Sequence, residues 1–248
     1  MTHLRRAASK NIENTNRFKN GIRIHPVPLN NRVLLNLFNK IISLVLFTFF
    51  TTPCLYADHD TSLRTDLNFS YTFNERFRAV TYVFMQADEN ISNYDYAEAG
   101  VGLLYQRSSW LAFLVYYQQG YSKDDGRHWL LEQKPSINVN LSTTLLKFKV
   151  SNQIRYEYRI TPDWHDSRIK NTLEISRPDI FLQPYIGWEL FYENHDKAVM
   201  LNRIKIGVVK DLGNHFSVGP YYRIDLSNSN YQWKWTRQLI GVQLTIKY

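Results

Sequence analysis

Apolar and polar residues alternate along most of the chain after Asp58, most clearly in LKFKVSNQIRYEYRI at residues 146–160. The even positions of this segment are almost all apolar. The odd positions hold Lys147, Lys149, Ser151, Gln153, Arg155, Glu157 and Arg159. Successive side chains of a strand point to opposite faces, so a strand places all of these charges on one face. The period of two predicts a β-strand.

The same alternation recurs in ten other segments. It is clear at 168–176, 184–193, 202–211, 216–226 and 238–248, and weaker at 63–73, 77–88, 94–106, 110–122 and 130–141. No segment between them resembles an amphipathic helix of about 10 to 15 residues. The sequence therefore predicts an all-β fold, an antiparallel up-and-down barrel.

The connections between these segments alternate in length. Tight turns are predicted at 74–76, 108–109, 142–143, 177–179 and 212–214, and longer polar loops at 123–128, 161–167, 194–199 and 227–234. Outer-membrane barrels have short periplasmic turns, longer outer loops and even strand numbers, with both termini in the periplasm. Counted back from Tyr248, residues 63–73 would enter from the outside. The sequence therefore predicts either ten strands, without that segment, or twelve, with two strands merged.

Residues 1–57 have the features of a leader. The apolar run 41–50, IISLVLFTFF, follows Arg32 and Lys40 and precedes Pro53 and Ala57. A helix of ten residues covers roughly 15 Å, half of a bilayer core. The pattern predicts a secretory signal peptide cleaved after Ala57, with the mature domain at 58–248.

The polar segment in front of this leader is longer than an ordinary signal peptide needs. Bacterial genes also start at codons that read as Val or Leu inside a protein. We therefore expect the start to be misassigned, with Val33, Leu34 or Leu35 as the true first residue.

The net charge of +8 belongs to the leader. Of 30 Lys and Arg and 22 Asp and Glu, residues 1–57 hold eight basic residues and one acidic residue. The remainder is nearly neutral, which argues against a nucleic-acid partner. The one cysteine, Cys54, also lies in the leader, so the mature domain has no disulfide, cysteine zinc site or cysteine nucleophile.

Alternation alone does not tell a membrane barrel from a soluble lipocalin-like barrel. The last strand carries apolar residues at every second place before a terminal aromatic, which is similar to the C-terminal assembly signal of outer-membrane barrels. These residues are Val242, Leu244, Ile246 and Tyr248. Trp129, Trp164, Trp233 and Trp235 lie near predicted strand ends, as an interfacial girdle requires. We therefore favour the bacterial outer membrane, with its lipid and the barrel-assembly machinery as partners.

The stretch from Asn152 to Tyr231 also resembles a bacterial family known as domain of unknown function 2490. The resemblance is carried by Gln153–Arg159 (QIRYEYR), Pro184-Tyr185, Glu189-Leu190-Phe191, Asn202-Arg203, Gly207 and Tyr221-Tyr222-Arg223. It implies an outer-membrane β-barrel and no particular reaction.

If the apolar face meets lipid, the lumen receives a set of charged side chains. They are Arg155, Glu157, Arg159, Arg168, Lys170, Glu174, Glu189, Arg203, Lys205, Arg223, Asp225 and Arg237. The set can form a network of ion pairs that closes the lumen. Its excess of eight basic over four acidic groups can instead favour small anionic solutes in a narrow channel.

One group of residues suggests enzyme chemistry. Asp163, His165 and Asp166 share a predicted outer loop, with His128 and His195 in neighbouring loops. An Asp–His pair there could activate water or bind a metal. Tyr185 and Tyr221 have the parity of lumen residues and could stack a sugar.

The sequence predicts a structural barrel or a narrow channel for small solutes, and favours a non-enzymatic role without a cofactor or metal. No glycine-rich phosphate loop or zinc-binding helix motif is present. The alternatives are an outer-membrane hydrolase with a site at the rim and a soluble periplasmic lipocalin-like carrier.

Overall fold

A computed structural model describes residues 60–88, 91–123, 128–229 and 232–248 of the chain. Its described residues contain eleven strands and no helix, and none of them forms a helix long and apolar enough to cross a bilayer. The strands are β1 (Asp60–Thr72), β2 (Phe77–Asp88), β3 (Asn93–Gln106), β4 (Leu111–Lys123), β5 (Trp129–Leu145), β6 (Phe148–Ile160), β7 (His165–Ser176), β8 (Gln183–Glu193), β9 (Ala198–Asp211), β10 (Phe216–Ser229) and β11 (Gln232–Lys247). The predicted leader, its cleavage site and the alternative starts lie outside the described residues.

The strands close into one barrel in which each strand pairs antiparallel with its sequence neighbours. The predicted all-β up-and-down barrel is confirmed. The ring closes between β1 and β11, which run parallel from Asp60↔Arg237 to Ser70↔Lys247. The predicted count of ten or twelve strands is wrong, because a parallel ladder satisfies the backbone of both edge strands and so permits an odd number.

This closure places the two ends of the described domain on opposite sides of the barrel. We call these sides the Asp60 end and the Tyr248 end. The prediction that both termini lie on one side is therefore wrong for the barrel itself. The backbone at the Tyr248 end is tied to β1, because Tyr248 N–H donates to Ser70 O at 2.9 Å and Thr72 N–H donates to Tyr248 O at 2.6 Å.

The predicted difference between short turns and long loops is absent. By the strand bounds, two to five residues separate consecutive strands at the Asp60 end, and two to six separate them at the Tyr248 end. Ser227 and Asn228 belong to β10 and pair with Lys234 and Trp233 of β11. Polar residues extend the strands here because ladder hydrogen bonds join backbone groups whatever the side chain.

The turn predicted at 142–143 also lies elsewhere. β5 continues to Leu145, and Thr143 and Leu145 pair with Val150 and Phe148 of β6. The reversal is the two-residue connection 146–147, in which Leu146 has a φ of 59°. Two-residue hairpin loops require positive φ because their twist must match that of the strands.

The apolar face of the strands points outward. Ile154, Tyr156 and Tyr158 are 45%, 49% and 38% exposed, whereas Glu157 between them is buried. The same holds round the barrel for Leu67, Val83, Val101, Val115, Ile137, Ile169, Ile186, Ile206 and Ile240, all of which are exposed. In a soluble lipocalin-like barrel the apolar face would lie inside.

The residues of the predicted assembly signal follow this arrangement. Val242, Leu244 and Ile246 alternate along β11 with Gln243, which lines the interior. The exposed ring of Tyr248 stacks on His215, with ring centroids 4.8 Å apart, and lies 6.1 Å from the ring of Phe69. The structure places all four signal residues on the outer side of the closing strand.

A small apolar cluster fills the interior near the Tyr248 end, and two glycines make room for it. Tyr185, Tyr221 and Leu239 are buried together. A Cβ atom at Gly207 would lie 2.7 Å from the Tyr185 ring, and one at Gly241 would lie 2.1 Å from Cζ of Tyr221. Each ring therefore lies against the inner side of the sheet, over a glycine of the neighbouring strand.

We expect Gly241→Ala to destabilise the barrel by about 1–3 kcal/mol, because the added methyl group overlaps the buried Tyr221 ring. Gly187→Ala is the matched control, since a Cβ atom there would meet nothing closer than 3.8 Å. The urea midpoint of unfolding, followed by circular dichroism, measures the difference. Equal midpoints for the two variants would contradict the proposed packing of Tyr221.

Candidate functional site

The inward side chains enclose a polar cavity with a volume of about 690 Å³. Its lining includes ten basic and seven acidic residues. The predicted set had eight basic and four acidic residues. The excess of basic residues is smaller here because the first half of the barrel contributes five acidic residues: Asp66, Asp88, Asp95, Glu98 and Glu132. The cavity lining therefore keeps an excess of three basic residues, one fewer than predicted.

The twelve predicted lumen residues all lie in β6 to β11. Nine of them line the cavity: Arg155, Glu157, Arg159, Arg168, Lys170, Glu189, Arg203, Lys205 and Arg237. Arg223 and Asp225 are buried and form an ion pair at 2.7 Å, so they lie behind the cavity surface. Glu174 is half-buried in β7.

A continuous network of alternating charges has members on five strands, β3 and β5 to β8. In order of contact its members are Glu98, Lys134, Glu132, Arg159, Glu193, Arg168, Glu157 and Arg155. Arg159 and Arg168 lie 3.3 and 3.4 Å from the two oxygens of Glu193. Four acidic and four basic residues make this network neutral, as the burial of charge requires.

A second network lies on β7 to β10. Lys170 contacts Glu189 at 2.9 Å, and Arg203 lies between Glu189 and Asp225 at 3.8 and 3.3 Å. Asp225 also binds Arg223 through two hydrogen bonds. The guanidinium groups present several donors in a plane, which suits contact with two carboxylates at once.

The closing strands carry their own charged contacts. Arg64 and Asp66 of β1 are 2.6 Å apart, and Tyr221 of β10 donates to Asp66 at 2.6 Å. Arg237 of β11 lies 3.5 Å from Asp60 and 3.4 Å from Asp88. These side chains join β1 and β2 to β10 and β11 across the parallel seam.

Sequence reasoning missed the polar cluster of β2 to β5. Glu98 accepts hydrogen bonds from Tyr82 and Tyr96 as well as from Lys134, and Gln118 donates to Tyr82. Alternation is weak in these strands because tyrosines occupy inward positions. The signal that could have located the cluster is Glu98, a charge between Ala97 and Ala99 at the start of the apolar part of β3.

The structure does not assemble the predicted rim site. His165 and Asp166 are neighbours in β7 and so face opposite sides, with the exposed His165 ring 6.1 Å from the ring of Tyr158. Asp163, His128 and His195 are exposed at the Asp60 end, in separate connections. Within the described ranges no three His, Cys, Asp or Glu residues are grouped to hold a metal ion.

The two candidate sugar platforms face inward but offer no free face. Tyr221 and Tyr185 are 3% and 8% exposed, and Nζ of Lys205 lies 3.8 and 5.4 Å from their ring centroids. Lys205 therefore occupies the position that a stacked sugar would need.

Comparison with known proteins places the chain in a family. Residues 63–236 match the family described as protein of unknown function (DUF2490). The chain belongs to this DUF2490 family. No curated protein matches the sequence.

A solved structure with some likeness is the anion-selective porin from Comamonas acidovorans. The sequence identity is 11%, the TM-score is 0.35, and the match covers 68% of this chain and 55% of the porin. The chain thus spans about half of the porin's length. A likeness of this size indicates neither the function nor the selectivity of the DUF2490 chain.

We expect Glu157→Gln to lower the free energy of unfolding by about 3–5 kcal/mol, because it breaks the two ion pairs of the buried Glu157 carboxylate, with Arg155 and with Arg168. Asp179→Asn is the matched control. The exposed Asp179 bonds Arg177, which lowers the pKa of Asp179, and such surface pairs contribute little to stability. Urea unfolding measures both variants, and similar losses would contradict the structural role of Glu157.

Proposed function

We propose that the chain is an outer-membrane β-barrel whose narrow, charged lumen passes only small ions and solutes. The observation that carries this proposal is the apolar outer face of a closed barrel with a charged interior. Soluble monomers rarely expose contiguous apolar patches larger than a few hundred Å². A ring of exposed Leu, Val and Ile is instead what a hydrocarbon environment requires.

Strand length and aromatic placement support a membrane location. The shortest strand, β8, has 11 residues, and a tilted strand needs about 9–11 residues to cross a bilayer. Exposed aromatic rings lie near both ends of the barrel. Those at the Asp60 end are Tyr121, Trp129, Tyr158, Trp164 and Trp233, and those at the Tyr248 end are Tyr71, Phe73, Trp110, Phe148, Phe181 and Tyr248. Two such girdles are typical of membrane barrels.

The odd strand number is compatible with this proposal. Bacterial single-chain barrels have even numbers, but a mitochondrial outer-membrane barrel has nineteen strands. In a ring of nineteen strands that run antiparallel to their sequence neighbours, the first and last strands also pair in parallel. A parallel seam is therefore no obstacle to a stable barrel in lipid.

A narrow lumen follows from the strand number and the ion pairs. Eight strands give an interior that side chains fill, and sixteen to eighteen leave an aqueous channel. Eleven strands lie between these cases, and here long Arg and Lys side chains reach across the inner wall. Arg159, for example, contacts Glu132 of β5 and Glu193 of β8. We infer a constricted passage rather than an open pore.

We expect the full chain, expressed in a Gram-negative host, to be recovered in washed outer membranes. A folded barrel resists detergent until it is heated, so its band should change mobility between unboiled and boiled samples. Gel electrophoresis of the membrane fraction measures this. Recovery in the soluble periplasmic extract, with mobility unaffected by boiling, would refute the proposed location.

We expect the double variant Arg159→Ala/Glu193→Ala to have a larger unitary conductance than the wild type in planar bilayers. The pair spans β6 and β8, and its removal leaves Glu132 with Lys134 and Arg168 with Glu157. The variant therefore widens the lumen without stranding a charge.

Arg177→Ala/Asp179→Ala is the matched control for this experiment, because it removes an ion pair of the same kind from an exposed connection. Its conductance should equal that of the wild type. If both double variants conduct alike, the network of ion pairs does not set the width of the passage.

A further inference from the structure

Two charged lumen residues differ from all the others. Ten of the twelve predicted lumen charges lie within 4.0 Å of an opposite charge. The exceptions are Glu174 and Lys205, for which no ion pair occurs in the part of the chain that the structure describes. A charge left without a partner inside a protein is costly. Lys205 contacts tyrosine rings instead of a carboxylate, so these two residues are the lumen charges that remain free to bind an opposite charge.

The two residues lie in one row across three strands. Glu174 of β7 pairs with Gly187 of β8, and Gly187 pairs with Lys205 of β9. Adjacent strands are about 4.8 Å apart, so the Cα atoms of Glu174 and Lys205 are separated by roughly 10 Å. The intervening residue has no side chain. The row therefore has a gap at Gly187, with an acidic residue on the strand on one side and a basic residue on the strand on the other.

The row has room over Gly187, and one of its two charged residues lines the cavity. A Cβ atom at Gly187 would meet only Cβ of Lys205 at 3.8 Å and backbone oxygens at 4.0 Å. Lys205 lines the 690 Å³ cavity, and its ammonium group is held beside the rings of Tyr185 and Tyr221. Two acids that face Lys205 already have other partners: Glu189 is paired with Lys170 and Arg203, and Asp66 is paired with Arg64 and accepts from Tyr221.

We propose that Glu174, Gly187 and Lys205 form a binding site for a small zwitterion of the free amino acid class. The ligand's ammonium group binds the carboxylate of Glu174, its carboxylate binds the ammonium of Lys205, and its centre lies over Gly187. An anion alone would satisfy Lys205 and leave Glu174 without a partner, and a cation would do the reverse. A zwitterion satisfies both at once.

This site goes beyond the proposed function, since it requires neither conductance nor a membrane. The test is isothermal titration of the full chain, folded in detergent, with glycine, acetate and methylammonium. Glycine should bind at least about tenfold more tightly than either singly charged probe, because it makes both charge-assisted contacts. Equal affinity for glycine and acetate would overturn the proposal in favour of an anion site.

Charge variants test the two ends of the site separately. Glu174→Gln and Lys205→Gln should each weaken glycine binding by at least about tenfold. The charge exchange Glu174→Lys/Lys205→Glu should restore it, because a zwitterion can bind in the reverse orientation. The matched control is Lys147→Gln, which removes a charge from an exposed connection.

Glu174→Gln keeps the shape of the native side chain and Lys205→Gln shortens it, and heat-dependent gel mobility identifies folded samples. Glycine affinity that is unchanged in folded Lys205→Gln would refute the site while leaving the proposed lumen intact. Failure of the proposed membrane location would in turn leave these titrations interpretable, because they use protein in detergent.

Discussion

Every backbone N–H and C=O group in the wall of this barrel needs a partner on a neighbouring strand, and the rest of the structure depends on this requirement. It closes the sheet into a ring, and the ring then divides each strand into inward and outward residues. It also explains why β1 and β11 pair in parallel. Leaving both edges open would expose two rows of unpaired groups, whereas a parallel ladder satisfies them.

The division into two faces creates opposite problems for the side chains. Outside, Ile154 and its counterparts need an apolar environment; inside, long charged side chains are withdrawn from bulk water. The inward charges form alternating ion pairs. Glu193 pairs with Arg159 and Arg168, and Asp225 pairs with Arg203 and Arg223. Such networks remove most of the fixed charge of the lumen. A residue's formal charge therefore says little about its influence on a passing ion unless its partners are known.

The sequence was informative where one face is uniformly apolar and the other uniformly polar. Residues 148–160 could be assigned to a strand, and their inward residues identified, because parity alone decides both. Strand pairing at closure could not be predicted, since the partner of β1 lies at the far end of the chain. Contacts such as that of Glu98 with Lys134 depend on the stagger between strands, which alternation does not encode. The unpaired state of Glu174 and Lys205 escaped prediction for the same reason.

The parallel seam also limits how the fold can be rearranged. An even-stranded barrel consists of whole hairpins, so its natural ends lie side by side and a short linker can join them in a circular permutant. Here five hairpins and one additional strand make up the ring, and β1 begins opposite the side on which β11 ends. A linker between them would have to span about 40 Å, the length of a strand of 13 residues. The first and last strands therefore cannot be joined by a short linker. Duplication of hairpins alone gives an even number of strands, so it could not have produced this ring of eleven.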